Sequence, residues 1–391
     1  MKPSLENKRS ALISQKITPP GVITELVKNK ERSAMNSTFS SNPAVVIGID
    51  LAKSHCDVVG YDKDRKMVLK RPRISHRKLL EMLSNMPRAV VLMEACGGSH
   101  CFVRKVKALG HDGRLLNPGD VKRIRGGHQK NNMLDAAYIA WAWYIPGITF
   151  VAAKTQAQQD LQVLQRIYQG YVKIRIELGN RIHVLLLEYG LHSPKKSSFI
   201  AEQLPAFIEE HPDELSPLTR EAVLELRDSW LRALKRERQA GQRYDGLVKE
   251  NDDAKRLMTI PGIGVKSAGA LLVHCGEASR FRDSRQFAAS LGLVPRQNST
   301  GDRDTLGHIT KRGPRHPRSM LVQGAAALLI QADRLEGALG DWVRKIKASG
   351  KRYGVKVCAI AAKLARIAWR ILREKGAAYR PQAAATAGAA A

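Results

Sequence analysis

What this chain lacks narrows its function first. No apolar run in its 391 residues approaches the roughly 20 that span a bilayer. No apolar signal-peptide core follows the first methionine. Neither membrane binding nor secretion is expected; a cytoplasmic, bacterial-style, nucleoid-associated protein is. The five cysteines, Cys56, Cys96, Cys101, Cys275 and Cys358, show no CxxC spacing, which excludes a zinc ribbon and a disulfide framework. They are expected to be reduced and mostly buried. Acidic residues are scarce too: 36 Asp and Glu face 65 Lys and Arg, a net charge of +29 spread along the chain. That excess calls for a polyanion, held through its backbone phosphates with release of counterions.

The length predicts more than one domain. Residues 1–43 are polar, rich in Ser, Lys and Asn, and without sustained periodicity; they read as a flexible basic arm. Strands are predicted at 45–50, 56–61 and 67–69, with Asp62 and Asp64 supplying hairpin-turn chemistry. A helix at 77–84, a strand at 90–93, a helix at 102–109, a strand at 113–116 and a helix at 133–144 follow. This is an α/β domain with a mixed sheet, over 44–150. Residues 156–189 and about 217–257 are helical, with Leu161, Leu164, Ile167, Tyr171, Ile174 and Leu178 marking one face. The Pro/Ser/His-rich stretch at 192–217 separates them. Two antiparallel helices forming a coiled coil over 151–255 would suit self-association. Arg166, Lys173, Arg175 and Arg181 could clamp nucleic acid there, but a solvated charged face is the plainer reading for each. A mainly helical domain over 256–375 and an Ala-rich tail over 376–391 complete the chain.

Three acidic positions stand out. Asp50 ends the first apolar run, and Gly48 two residues earlier permits close backbone approach. Glu94 ends the run that begins at Ala89, and Gly97 and Gly98 then allow a tight turn. Asp135 shares a helix face with Asn132, one turn earlier. Each alone is more ordinarily a cap or a solvated acid. Together, at the ends of strands and on a helix, they suggest a carboxylate constellation for a divalent metal, the usual means of cutting or transferring phosphodiesters.

Two further motifs lie downstream. Pro261, Gly262, Ile263 and Gly264, followed by Lys266, look like a helix-hairpin-helix turn whose backbone N–H groups could seat a DNA or RNA phosphate. A bare interhelical turn is the alternative. The segment from Pro295 to Gly313 is polar, basic and punctuated by glycine. Ser299, before Thr300 and Gly301, could be presented as a nucleophile, but no neighbouring base activates it, and spacing alone favours an ordinary turn.

In order along the chain, Ile49-Asp50, Met93-Glu94-Ala95-Cys96-Gly97-Gly98, Lys130-Asn131-Asn132-Met133-Leu134-Asp135, Ile260-Pro261-Gly262-Ile263-Gly264, Leu291 to Gly301 and Ile309 to Gly313 resemble the DEDD-type insertion-sequence transposases. That group includes the pilin-gene invertases, and the resemblance spans roughly residues 44–375. It implies an RNase H-like (RuvC-like) domain holding Mg²⁺ through an Asp-Glu-Asp-Asp set, then a coiled-coil dimerisation region and a C-terminal transposase domain. It also implies a serine that attacks DNA and a structured non-coding RNA, a bridge or seeker RNA, that pairs with donor and target. Carried onto this chain, the carboxylates are Asp50, Glu94 and Asp135, and the nucleophile is Ser299, with Thr300 as its neighbouring alternative. Arg296, Lys311, Arg312, Arg315 and Arg318 are the expected phosphate contacts beside Gly262, Gly264 and Lys266. A dimer or tetramer is expected.

One position departs from the pattern. The third acidic site is Asn132, whose amide offers a carbonyl oxygen but no negative charge. Either metal binding is weakened or three carboxylates suffice, and the charge argument favours weakening. Two other functions stay open: a RuvC-like metal nuclease that resolves branched DNA without a serine step, and an inactive nucleic-acid-binding derivative.

Overall fold

The computed structural model describes residues 43–126, 132–148, 150–300 and 303–381, with backbone alone at 298–300, 303 and 304. Apart from Pro43, the expected N-terminal arm lies outside these residues, as do positions 382–391 of the tail and Lys130, Asn131 and Gly301 of the motifs. The chain divides into two compact units between Thr155 and Gln156. Among the described residues, no helix is long and apolar enough to cross a membrane.

The first unit is a mixed six-stranded sheet in the order β3-β2-β1-β4-β5-β6. Strands β1 (Val46–Leu51), β2 (His55–Tyr61) and β3 (Met67–Ser75) form an antiparallel meander. Strands β4 (Val90–Glu94) and β5 (Asp112–Leu116) add in parallel, and β6 (Phe150–Val151) returns antiparallel. Alternation divides the side chains between two faces. Ile47, Ile49, Val91 and Met93 pack with Leu79 and Leu83 of α1 (His76–Ser84) and with Phe102, Val103 and Val106 of α2 (Ser99–Ala108). Val46, Val59, Tyr61 and Leu92 face the other way. They meet Val121 and Ile124 of α3 (Pro118–Arg125) and Ala136, Ile139 and Ala140 of α4 (Asn132–Trp141).

β3 runs to Ser75 instead of stopping at 69, because Pro72 falls at a bulge on the edge strand, where a missing N–H costs no ladder bond. Helix α3 was not anticipated; its signals were the Asn117 cap, which accepts from Gly119 N–H, and Pro118 in the first turn. The cysteines are not mostly buried: Cys56 and Cys275 are, Cys358 is half-buried, and Cys96 and Cys101 are exposed.

In the second unit α5 (Gln156–Glu188) and α7 (Pro217–Glu250) lie antiparallel. Gln165 bonds Tyr244, Arg175 bonds Glu237 and Tyr189 bonds Thr219, so one number rises as the other falls. A π-turn (Phe199–Gln203) and α6 (Leu204–Glu209) cross between them, packing Phe199 and Leu204 with Ile182, Leu186 and Trp230. At the other end Leu161, Tyr244 and Val248 join one core with α8 (Asp252–Met258), α9 (Val265–Cys275), α10 (Ser284–Ser290), α11 (Arg315–Ile330), α12 (Gly337–Ala348) and α13 (Tyr353–Arg373).

Between α10 and α11 a hairpin of β7 (Pro295–Thr300) and β8 (Arg303–Ile309) replaces the expected loop. It carries no apolar alternation to betray it; of its two large apolar side chains, Leu306 is 67% exposed and Ile309, at the base, is half-buried. Two glycines clamp its base. Gly292 (φ +71) and Gly313 (φ +87) are left-handed, and added Cβ atoms would lie 2.3 Å from Arg312 O and 2.0 Å from Ser290 O. Gly313→Ala is therefore expected to destabilise the second unit by about 3 kcal/mol or more, strain and clash combined. A lowered urea midpoint checks this.

Candidate active site

Ile49 and Met93 are register partners in the parallel pair β1–β4, so the next residues, Asp50, one before the end of β1, and Glu94, the last of β4, stand side by side. Alternation sets both on the face of Gly48 and Leu92, the face that α4 covers. Both are half-buried.

Gly48 explains how α4 comes so near. A Cβ there would stand 2.2 Å from Ala136 O and 2.4 Å from Ala140 N, inside the helix backbone. Without it, α4 lies directly on β1. Asp135, one residue before Ala136, is carried against the same face and is 7% exposed. Asn132 is the exposed first residue of α4.

The thiol of Cys96 registers the local charge. It donates to Leu51 O at 3.8 Å. Burial raises its pKa most, and the Glu94 and Asp50 carboxylates raise it further.

Two residues of this neighbourhood escaped sequence reasoning. Asp57 is the cross-strand partner of Asp50, is 6% exposed and accepts from Arg73 N–H at 3.1 Å. Arg73 sits at the β3 bulge with φ +46, so this bond has an evident structural use. Arg125 ends α3 and pairs with Asp135, Nη1 to Oδ1 at 3.5 Å. Only the strand register could have revealed the first, and only the packing of α3 against α4 the second.

Carboxylate oxygens are hard donors suited to Mg²⁺-class cations, so the chemistry of Asp50, Glu94 and Asp135 fits such an ion. Among the described residues, however, no three metal-ligating side chains stand close enough to hold one.

In the second unit, Ser299 and Thr300 lie in β7, opposite Asp304 and Arg303, and not in the turn that spacing favoured. Arg296, Lys311, Arg312 and Arg315 are exposed around the hairpin. Arg318 is turned inward and donates to Leu291 O at 3.0 Å and Arg312 O at 3.3 Å, bracing the hairpin base. Gly264 is the exposed N-cap of α9, with open space around it. Gly262 (φ +82) instead lies against α11, where a Cβ would meet Leu328 Cγ at 2.9 Å. Lys266 pairs with Asp245 at 2.8 Å and sits 3.9 Å from the Tyr168 ring centroid, so its charge is already engaged.

Sequence comparison shows what this framework belongs to. A DEDD-type transposase family model matches residues 47–191, and the model described as Transposase IS116/IS110/IS902 family matches residues 254–338. The chain is 34% identical over 324 residues to the transposase for insertion sequence element IS1328 of Yersinia enterocolitica, covering 83% of this chain and 95% of that protein. The chain belongs to the IS116/IS110/IS902 transposase family. This transposase is also 32% identical over 332 residues to the transposase for IS1111A of Coxiella burnetii, covering 84% of this chain and 89% of that one. A pilin gene-inverting protein of Moraxella bovis is 31% identical over 125 residues, 32% of this chain and 38% of that one. The first matched region holds Asp50, Glu94, Asn132 and Asp135; the second holds the β7–β8 hairpin. The transposase is thus a DNA-processing enzyme, and its DEDD membership implies dependence on a divalent metal.

Proposed function

We propose that the transposase is an RNA-guided, Mg²⁺-dependent DNA recombinase that joins element ends to a target through a covalent serine–DNA linkage. The observation that carries the reading is that Asp50 and Glu94 stand side by side on the α4-covered face of a mixed sheet, with Asp135 carried against the same face; a divalent ion would have to draw the three together. That arrangement supports a RuvC-like catalytic domain over 44–150. Residues 151–255 would then serve dimer or tetramer assembly, and 256–375 would present the serine.

Asp50, Glu94 and Asp135 would hold the metal, with the Asn132 amide as a neutral fourth donor. When bound, Mg²⁺ supplies positive charge for the scissile phosphate. Ser299 Oγ loses its proton and bonds to phosphorus; the P–O bond to the 3′ oxygen breaks, and that oxygen leaves as a 3′-hydroxyl. A second 3′-hydroxyl later attacks the phosphoserine and releases the serine. Arg296, Lys311, Arg312 and Arg315, exposed beside the hairpin, would neutralise backbone phosphates, as would the open Gly264 helix start. Sequence choice would come from base pairing with the guide RNA. Such a protein works in the bacterial cytoplasm.

The test is recombination of element-end and target duplexes by protein co-expressed with the element's RNA, in Mg²⁺. Ser299→Ala is expected to abolish both product and covalent adduct, and omission of RNA to abolish product. Adduct formation that survives in Ser299→Ala but fails in Thr300→Ala would move the nucleophile by one residue. Strand cuts without adduct in the parent protein would replace this reading with a plain metal nuclease.

A further inference from the structure

Asp135 is held by a cation of the protein's own. Its Oδ1 lies 3.5 Å from Nη1 of Arg125, with the carboxylate 10% and the guanidinium 27% exposed. The pair is loose. Charge-assisted N–H to O bonds close to about 2.7–2.9 Å and are often doubled between arginine and carboxylate. In the same unit Arg114 reaches Asp112 at 2.8 Å with more than one contact.

The way Arg125 is delivered also suits exchange. Val121 and Ile124 anchor α3 in the core, and Gly126 (φ +62) ends the helix immediately after Arg125. Its side chain therefore hangs from a helix end and can swing without disturbing that packing. Of the basic residues in the last turn, Lys122, Arg123 and Arg125, Arg123 is bonded to Asp120 at 2.9 Å, and Arg125 turns to the acidic face.

A guanidinium and a divalent cation on one carboxylate repel each other, so each weakens the other's hold on it. The guanidinium's planar donor fork does match two phosphate oxygens. We propose that Arg125 is the resident counter-ion of the metal site: it holds Asp135 until a divalent cation arrives, yields the carboxylate to it, and then takes a DNA backbone phosphate. Metal and DNA would in consequence bind cooperatively, each favouring the released arginine. This rests on Asp135 being a metal ligand, as read above.

Mn²⁺ titration followed by electron paramagnetic resonance, with and without an element-end duplex, tests it on the full chain. Without DNA, Arg125→Gln is expected to bind Mn²⁺ about fivefold tighter than the parent. Duplex should tighten Mn²⁺ binding by about fivefold in the parent and leave Arg125→Gln unchanged. Equal or weaker Mn²⁺ binding by Arg125→Gln would overturn the proposal, and so would a duplex effect of equal size in both proteins. Arg125→Lys keeps the charge and should stay within about twofold of the parent without DNA; tightening equal to that of the glutamine variant would mean that lost packing, not lost competition, is responsible. Asp135→Asn separates the two readings. It should weaken Mn²⁺ binding about tenfold, and if it does not, Asp135 is no ligand and the premise itself fails.

Discussion

Gly48→Ala is expected to cost strand transfer at least a hundredfold, although it adds a single methyl group. The new Cβ would lie 2.2 Å from Ala136 O, 2.4 Å from Ala140 N and 2.8 Å from Ala140 Cβ. The first two are helix backbone, which cannot rotate away as a side chain can. Ordinary contact begins near 3.4 Å, so α4 must withdraw from β1 by about 1 Å. Overpacking of this kind costs roughly 1–3 kcal/mol. The functional cost is larger, because α4 carries Asp135, and a misplacement of about 1 Å in a catalytic group can cost about a hundredfold. Gly354→Ala, at a helix position with open space around it, is the control and should be neutral or stabilise by up to about 1 kcal/mol. Strand-transfer rates and urea midpoints of both variants check this. An active, stable Gly48→Ala protein would mean that α4 does not depend on that contact.

Asn132→Asp should act in the opposite direction, raising divalent-metal affinity about tenfold, or ~1.4 kcal/mol. The substitution keeps the shape and adds a negative charge at the exposed start of α4, one turn from Asp135. At an effective dielectric of 20, a unit charge 4 Å away is worth about 4 kcal/mol. Solvent at an exposed position screens much of this, and desolvation removes more. An acid in the first turn also complements the helix dipole, by about 0.3–1 kcal/mol, which offsets repulsion from Asp135. Metal titration calorimetry and initial strand-transfer rates report the result. If neither moves, the third acidic position is not a metal position here and three carboxylates suffice.

Legibility followed the signal each element carries. β1 and β4 could be read because their apolar residues divide between two buried faces and their carboxylates interrupt the pattern at the ends. The long helices could be read because their apolar stripes persist over many turns. The β7–β8 hairpin could not, since a strand exposed on both faces has no alternation; its position is fixed instead by Gly292, Gly313 and the inward-facing Arg318. Helix α3 was hidden by its charge, which masks the short apolar face of Val121 and Ile124.

At the site, the identity of the carboxylates was legible and their company was not. Asp57 stands beside Asp50 only through hairpin register. Arg125 meets Asp135 through the packing of α3 beside α4, which no local propensity determines. Lys266 shows the converse: its place after a glycine turn suggested a phosphate contact, while Asp245 and Tyr168, brought close by tertiary packing, engage its ammonium.

The most direct test of the metal centre is affinity cleavage. Fe²⁺ substituted for Mg²⁺, with ascorbate and peroxide, generates hydroxyl radicals that cut the backbone within a few ångströms of the bound ion. Fragments ending near residues 50, 94 and 135, suppressed by excess Mg²⁺ and by Asp50→Asn, are the expected result. Cuts elsewhere, or cuts at these positions that Mg²⁺ does not suppress, would contradict a single metal held by Asp50, Glu94 and Asp135.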